Sequence, residues 1–362
     1  MIEKIVRDNI KKINPYVSGR TREEVAKEYG VKQIVKLASN ENPFGCSDRV
    51  IKAIKKIREI HLYPDTRFTE LKEALSDYTG FSEDNIIVGN GSDEIISLVS
   101  RTFIEHGDRV AIPVPNFLMY ELESRVAGAF VVFIPSDEMY IDEGGVIQES
   151  KKAKIVFISS PNNPIGYVIR ESFLKELLDS ESLIVVDEAY YEFYGKTFAK
   201  FVNSYENLVI TRTLSKAFGL AGLRVGYGIG AKETIEYMNK ARIPFSISRI
   251  SAICAVEALK DINFVKKTVE HTKRWREWMR KEIMKIDGVK VSNSQANFLL
   301  LDIRDTSLSS REVELELLKR GVIVRECSAF RGLGDGFIRV SIGREQENIR
   351  FIDSLKDVLG CT

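Results

Sequence analysis

Thr211-Arg212-Thr213-Leu214-Ser215-Lys216-Ala217-Phe218-Gly219-Leu220-Ala221-Gly222-Leu223-Arg224 is the stretch on which the reading of the fold turns. It continues an apolar run, Leu208-Val209-Ile210, that reads as a buried strand ending at Thr211. Past that strand a lysine sits among hydroxyls, glycines and two arginines. A lysine with restricted solvent and cationic neighbours has a lowered pKa and becomes a competent nucleophile for a carbonyl. Taken alone, such a lysine is more often a solvated surface charge. The segments around it therefore decide what Lys216 is for.

Three earlier strand ends supply its company. Leu183-Ile184-Val185-Val186 runs into Asp187-Glu188-Ala189-Tyr190, which puts Asp187 at a strand's carboxyl end, where open α/β sheets bind ligands. By itself Asp187 serves equally as a helix cap or a loop ion pair. Ile155-Val156-Phe157-Ile158-Ser159 leads into Ser160-Pro161-Asn162-Asn163-Pro164-Ile165-Gly166, a loop stiffened by two prolines that either aims Asn163 at a ligand or is an ordinary turn. Ile86-Ile87-Val88 precedes Gly89-Asn90-Gly91-Ser92-Asp93-Glu94, which opens a helix marked by Ile95, Ile96, Val99 and Phe103. Ser92 is expected to cap that helix, and the small residues let a phosphate approach its free N–H groups.

A phosphate cradle, an amide, an acid and a lysine on four βα edges of one sheet meet the needs of pyridoxal phosphate. Gly91, Ser92, Asp93, Thr213, Ser215 and Arg224 would meet its phosphate, Asn163 and Tyr190 its phenolic oxygen, Asp187 its ring nitrogen, and Lys216 its aldehyde.

Working outward, short apolar runs alternate with helical periods from about residue 37 to 229, including a strand at Arg109-Val110-Ala111-Ile112. This alternation marks a mostly parallel sheet sandwiched by helices. Beyond residue 237 the texture changes: one long charged helix over 263–286, strands at 296–301, 321–325 and 337–342, and helices at 311–320 and 345–359. The expected architecture is α/β, with a large domain at 35–237 and a smaller α+β domain at 238–362. Residues 1–34 form an N-terminal arm that joins the small domain or a neighbouring subunit. A length of 362 residues exceeds what one core usually organises and agrees with this division.

Composition narrows the function classes. The formal charge of +1 gives no electrostatic case for nucleic acid or an anionic membrane. No apolar run is long enough to span a bilayer, and residues 1–12 do not read as a signal peptide. The four cysteines are far apart without a CxxC pair, which favours a reducing cytoplasm and free thiols over disulfides or structural zinc. His61, His106 and His271 share no ligand spacing, so no metal is expected.

With these residues in place, the chain resembles the class II, fold-type-I pyridoxal-phosphate aminotransferases, and within them the histidinol-phosphate branch. The resemblance runs through Asn14-Pro15-Tyr16, Asn40-Glu41-Asn42-Pro43, Tyr63-Pro64-Asp65, the four strand ends, Ala296-Asn297-Phe298 and Arg339-Val340-Ser341-Ile342-Gly343. It implies that Lys216 bonds the cofactor aldehyde, Asp187 faces the ring nitrogen, Asn163 and Tyr190 face the phenolic oxygen, and Phe117 stacks on the ring. It implies a homodimer with composite sites in which Tyr63 reaches the neighbouring subunit's cofactor, and it places Asn40, Arg325, Arg339 and Tyr63 at the substrate. Alternation along 337–342 agrees for Arg339, because Phe337, Arg339 and Ser341 share one strand face and Ile338, Val340 and Ile342 the other.

The implied reaction is a ping-pong transamination from L-histidinol phosphate to 2-oxoglutarate. Ile165 stands where the family usually has threonine, and Phe117 where tyrosine is also common. Cys327-Ser328-Ala329-Phe330-Arg331-Gly332-Leu333 and Arg344 resemble threonine-phosphate decarboxylases, which makes phosphothreonine decarboxylation the main alternative. Aromatic amino-acid transamination is a second. A ligand-sensing regulator is a third, for which the residues before Leu37 leave little room for a DNA-binding module.

Overall fold

A computed structural model of the chain describes residues 1–11, 13, 19–136 and 139–360. The Asn14-Pro15-Tyr16 motif lies outside the described residues. The large sheet has seven strands: β1 (Ile86–Gly89), β2 (Arg109–Val114), β3 (Phe130–Pro135), β4 (Ile155–Ser159), β5 (Leu183–Asp187), β6 (Leu208–Thr213) and β7 (Gly226–Gly230). Their order across the sheet is β1-β7-β6-β5-β4-β2-β3. All neighbours are parallel except β7, which runs antiparallel to β1 and β6.

β4, β5 and β6 are buried on nearly every residue of both faces because helices cover both, as expected of parallel strands between helical layers. The carboxyl ends of β1, β2, β4, β5 and β6 share one edge, and strand order reverses between β2 and β4. That edge of an open α/β sheet is where a crevice forms.

Two strands are absent from the strands expected above, β3 although Phe130-Val131-Val132-Phe133-Ile134 is an apolar run, and β7 because it is not one. β3 is an outer strand whose first residue, Phe130, is 59% exposed. β7 reads Gly226-Tyr227-Gly228-Ile229-Gly230, which by composition looks like a turn. Its glycines lie two apart and so share one face, where the helix Ser92–Phe103 rests on the sheet. A Cβ at Gly226 would lie 2.3 Å from Ser92 N, and one at Gly228 2.9 Å from the Ile95 side chain. The glycines are a packing requirement, and they bring the helix N-terminus against β7.

A smaller four-stranded antiparallel sheet contains Lys290–Val291, Phe298–Asp302, Arg325–Glu326 and Phe337–Ser341. Ile338, Val340 and Ile342 pack in one cluster with Trp275, Met279, Leu299, Leu301 and Phe351, while Phe337 packs on the other face with Cys327 and Leu300. The alternation expected along this strand is therefore realised, and the strand is internal and buried rather than an exposed edge.

The long helix spans Ile262–Ile283, ending three residues before its expected limit. The single strand expected over 321–325 is two short pieces with different partners. Val322–Ile323 pairs in parallel with Val35–Lys36, and Arg325–Glu326 pairs with Phe337–Ser341. The helix Arg249–Leu259 packs against Asp48–Lys56 and Thr69–Thr79, with Cys254, Ala255 and Ala258 joining the core beneath the large sheet.

Candidate active site

A cavity of about 610 Å³ opens at the carboxyl edge of the large sheet and is roofed by the small one. Among its lining residues are Asn40, Ser92, Asp93, Phe117, Asn163, Asp187, Tyr190, Thr213, Ser215, Lys216, Arg224, Arg325 and Arg339. Strand ends bring together residues that lie up to 299 positions apart in sequence. Of the expected site residues, Gly91 and Tyr63 are the two not among the lining residues.

Lys216 leaves β6 through Leu214 and Ser215 and is half-buried, its Nζ donating to Ser39 O at 3.2 Å and lying 5.9 Å from the Tyr190 ring centre. Desolvation, the largest cause, and the Arg339 charge together lower its pKa to about 8. A large fraction of the amine is thus neutral near pH 8, the form that attacks a carbonyl.

Asp187 is buried, and its Oδ2 accepts from Tyr120 Oη at 2.6 Å while Oδ1 accepts from Ala189 N at 3.0 Å. Burial raises the carboxyl's pKa and those two hydrogen bonds pull it partly back, leaving it at about 6. A carboxylate with two donors and an uncompensated burial cost is suited to a cationic partner in the cavity.

Tyr120 was not singled out from sequence. It is fully buried, stacks on Phe157 with ring centres 5.2 Å apart, and meets Phe117 edge-on at 5.8 Å. Its signal was available: in the helix Leu118–Ala127, Tyr120 follows Phe117 by three positions, close to one turn.

The phosphate end differs in one respect from expectation. Gly91, not Ser92, is the N-cap of the helix Ser92–Phe103, and no side chain caps it. Gly91 has φ of +80°, which glycine adopts without strain, so Ser92 becomes the first helical residue; Asn90 N–H donates to the Glu94 carboxylate, and the helix's first N–H groups receive no bond from an N-cap side chain. A Cβ at Gly91 would lie 2.6 Å from Arg224 Nη2. Arg224 donates to Asp93 Oδ2 at 2.7 Å, and Thr213 Oγ1 donates to Ser215 Oγ at 2.9 Å. Uncapped helical N–H groups, two hydroxyls and a guanidinium form an anion site.

Asn40 reaches the cavity mainly through Tyr190. Its Nδ2 donates to Tyr190 Oη at 2.9 Å, its Oδ1 accepts from Ser341 Oγ at 2.9 Å, and its carbonyl accepts from Asn297 at 3.0 Å. This network explains why the Asn40 and Ala296-Asn297-Phe298 segments matter together. Asn163 Oδ1 accepts from Arg339, which also donates to Ala38 O at 2.8 Å. Arg325 and Arg339 are direct cross-strand partners. Like charges facing each other on a sheet are destabilising, so this pair is suited to an anion between them.

Tyr63 is 77% exposed and stacked on Phe245, with ring centres 4.6 Å apart. Among the described residues no group of His, Cys, Asp and Glu is placed to hold a metal, and no helix is long and apolar enough to cross a membrane.

A mostly parallel sheet whose edge gathers a half-buried lysine of lowered pKa, a buried acid and an uncapped helix end defines an enzyme of the group-transfer type. The chain belongs to the aminotransferase class I and II family, whose sequence pattern matches residues 32–355. It is 39% identical to a histidinol-phosphate aminotransferase of Methanocaldococcus jannaschii, covering 99% of each chain. Identity is 40% to the enzyme of the same name from Thermoanaerobacter pseudethanolicus, over 99% of this chain and all of that one. Among solved structures it is similar to the histidinol-phosphate aminotransferase of Clostridium acetobutylicum, at 30% identity and a TM-score of 0.84 over 90% of this chain and 99% of that one. It is also similar to that of Sinorhizobium meliloti in complex with pyridoxal-5'-phosphate, at 25% identity and a TM-score of 0.87 over 98% and 97%.

Proposed function

We propose that this chain is a pyridoxal-phosphate-dependent aminotransferase that moves the amino group of L-histidinol phosphate to 2-oxoglutarate, giving imidazole acetol phosphate and L-glutamate. Near-full-length identity of about 40% to enzymes of that name supports the substrate pair. The observation that carries the chemistry is Lys216, half-buried with a lowered pKa in the same cavity as the uncompensated acid Asp187.

Pyridoxal phosphate supplies an aldehyde for the amine and a ring that takes up the electron pair left at Cα. The residues present fit it. Ser92, Thr213, Ser215 and Arg224 hold the phosphate beside Gly91 and Asp93, Phe117 covers the ring, and Asn163 with Tyr190 faces the phenolic oxygen. Asp187 holds a proton at the ring nitrogen, which supplies the cation its burial lacks. With the cofactor and substrate in place, the Lys216 amine would take the Cα proton as a neutral base, for which a pKa of about 8 is well matched. Arg325 and Arg339 bind the substrate phosphate and, in the second half of the cycle, a carboxylate.

The proposal includes a cytoplasmic homodimer. Tyr63 projects with Phe245, and Arg242 donates to Thr66 O at 2.7 Å, so the exposed Ile60, Leu62, Tyr63, Ile243 and Phe245 form a surface that a second subunit would cover. It also keeps two domains and an arm, expected at 35–237, 238–362 and 1–34, with both boundaries shifted: Val35 and Leu37 pack in the small-sheet cluster, while Ile247, Cys254, Ala255, Ala258 and Val265 pack in the large-sheet cluster.

Incubating the loaded enzyme with L-histidinol phosphate and 2-oxoglutarate tests the reading. Stoichiometric glutamate is expected. Carbon dioxide release from phosphothreonine, with no glutamate formed from histidinol phosphate, would overturn it.

A further inference from the structure

The two substrates proposed above share one anionic group and differ at the other end, where one carries an imidazole and the other a second carboxylate. A ping-pong enzyme takes both in the same cavity in turn. Arg325 and Arg339 account for the shared anion. The residue that serves the differing end must accept an uncharged or cationic ring at one time and a carboxylate at another.

The wall opposite the small sheet is the helix Leu118–Ala127, which lines the cavity with Leu118, Glu121, Leu122 and Arg125, positions that share one helical face. Glu121 is held by two arginines. Arg125 Nε donates to its Oε1 at 2.9 Å; Arg331, from the roof, donates through Nη2 to Oε1 at 3.0 Å and through Nε to Oε2 at 3.2 Å. All three line the cavity. Both guanidiniums also lie against the Phe133 ring, Arg331 at 4.1 Å and Arg125 at 5.9 Å.

One carboxylate between two guanidiniums leaves a surplus positive charge at the cavity mouth. The Arg331 side chain is 52% exposed and that of Glu121 14%, so the guanidinium is the solvent-facing partner that can turn to another carboxylate, while Glu121 stays paired with Arg125. The roof is anchored beside it independently, since a Cβ at Gly332 would lie 3.3 Å from Val114 and 3.4 Å from Pro115 N. Arg331 is therefore free to exchange partners without moving the backbone that carries it.

Resting on the proposed substrate pair, we infer that Glu121, Arg125 and Arg331 form an exchangeable subsite for the distal end of the substrate. With glutamate or 2-oxoglutarate bound, Arg331 leaves Glu121 and binds the ω-carboxylate bidentately, while Arg125 keeps Glu121 neutralised. With histidinol phosphate bound, Arg331 stays on Glu121 and the ring lies against Leu118 and Leu122.

Binding of glutarate, an unreactive dicarboxylate, is measured calorimetrically with the loaded enzyme and its R331Q and R331K variants, beside single-turnover half-reactions with L-glutamate and with L-histidinol phosphate. In R331Q, glutarate affinity and kcat/KM for glutamate are expected to fall about 10- to 100-fold, as for loss of a charge-assisted bidentate contact. The histidinol-phosphate half-reaction should fall by less than about threefold. R331K, which keeps the charge without the fork, should lie between, and it carries the same test if R331Q folds poorly. Equal losses with both substrates, or unchanged glutarate binding, would overturn the subsite. Failure of the substrate proposal is a separate result: wild-type enzyme inert toward histidinol phosphate would remove that proposal, whereas selective loss of glutarate binding in R331Q would still establish a dicarboxylate subsite.

Discussion

Asp187 and Glu188 are consecutive, both buried, and both stand at the end of β5, yet their surroundings differ in kind. Behind the cavity, Glu188 accepts from Arg212 Nε at 3.0 Å and Nη2 at 2.8 Å, from Phe198 N at 2.7 Å and from Thr197 Oγ1 at 2.8 Å. Arg212 in turn lies 3.8 Å from the Tyr191 ring centre. On the cavity side, Asp187 has Tyr120 and a backbone N–H but no arginine among its hydrogen-bond partners. The charge on the back face is matched inside the protein, and the charge on the cavity face is not. A buried charge left unmatched by its own chain marks a position reserved for a ligand.

Substituting the two carboxylates separately gives the strongest test of that contrast. Asp187→Asn should lower the histidinol-phosphate half-reaction about 100- to 1,000-fold, because an amide does not stabilise a protonated ring nitrogen. Stability should move the other way. The raised pKa means the folded apoprotein holds a proton that the unfolded chain has lost, so Asp187 makes stability fall as pH rises from about 4 through about 6. Denaturant titrations of Asp187→Asn apoprotein should lose that part of the slope, worth about 3 kcal/mol for a shift of roughly two pKa units.

Glu188→Gln should show the reverse pattern. It leaves the Arg212 guanidinium buried without its carboxylate, and stability should drop by about 3–5 kcal/mol, while the folded fraction keeps its rate within roughly tenfold, since Glu188 is not among the cavity-lining residues. If instead Glu188→Gln removed activity without loss of stability and Asp187→Asn kept full activity, the contrast would be broken.

A smaller effect is expected of Tyr120→Phe, which keeps the aromatic packing and removes one hydrogen bond to Asp187. The acid limb of the pH profile should move to higher pH, because the lost bond favoured the ionised carboxylate, and the rate should fall about 2- to 10-fold. An unchanged pH profile would confine Tyr120 to packing.

The same contrast explains what was legible in the sequence. Asp187, Lys216 and the β1 turn announce themselves because each follows an apolar run and ends it with a polar residue. The partners that complete them are harder to see. Tyr120 and Arg331 meet their carboxylates across 67 and 210 positions of chain, and side chains that meet only through the fold leave no local pattern. β7 was hidden for another reason: its alternating glycines answer to the helix packed on it rather than to strand propensity. Ser92 was assigned as a cap from residue type, whereas the positive φ of Gly91 moved the cap one residue earlier.

The central claim is that Lys216 is the residue that bonds the cofactor aldehyde. Apoprotein is loaded with pyridoxal phosphate, reduced with borohydride, digested and analysed by mass spectrometry. The peptide containing Lys216 should carry the reduced cofactor stoichiometrically, with loading faster as pH rises and levelling above about 8, and Lys216→Ala should carry none. A stoichiometric label on any other lysine, or full labelling of Lys216→Ala, would contradict the account.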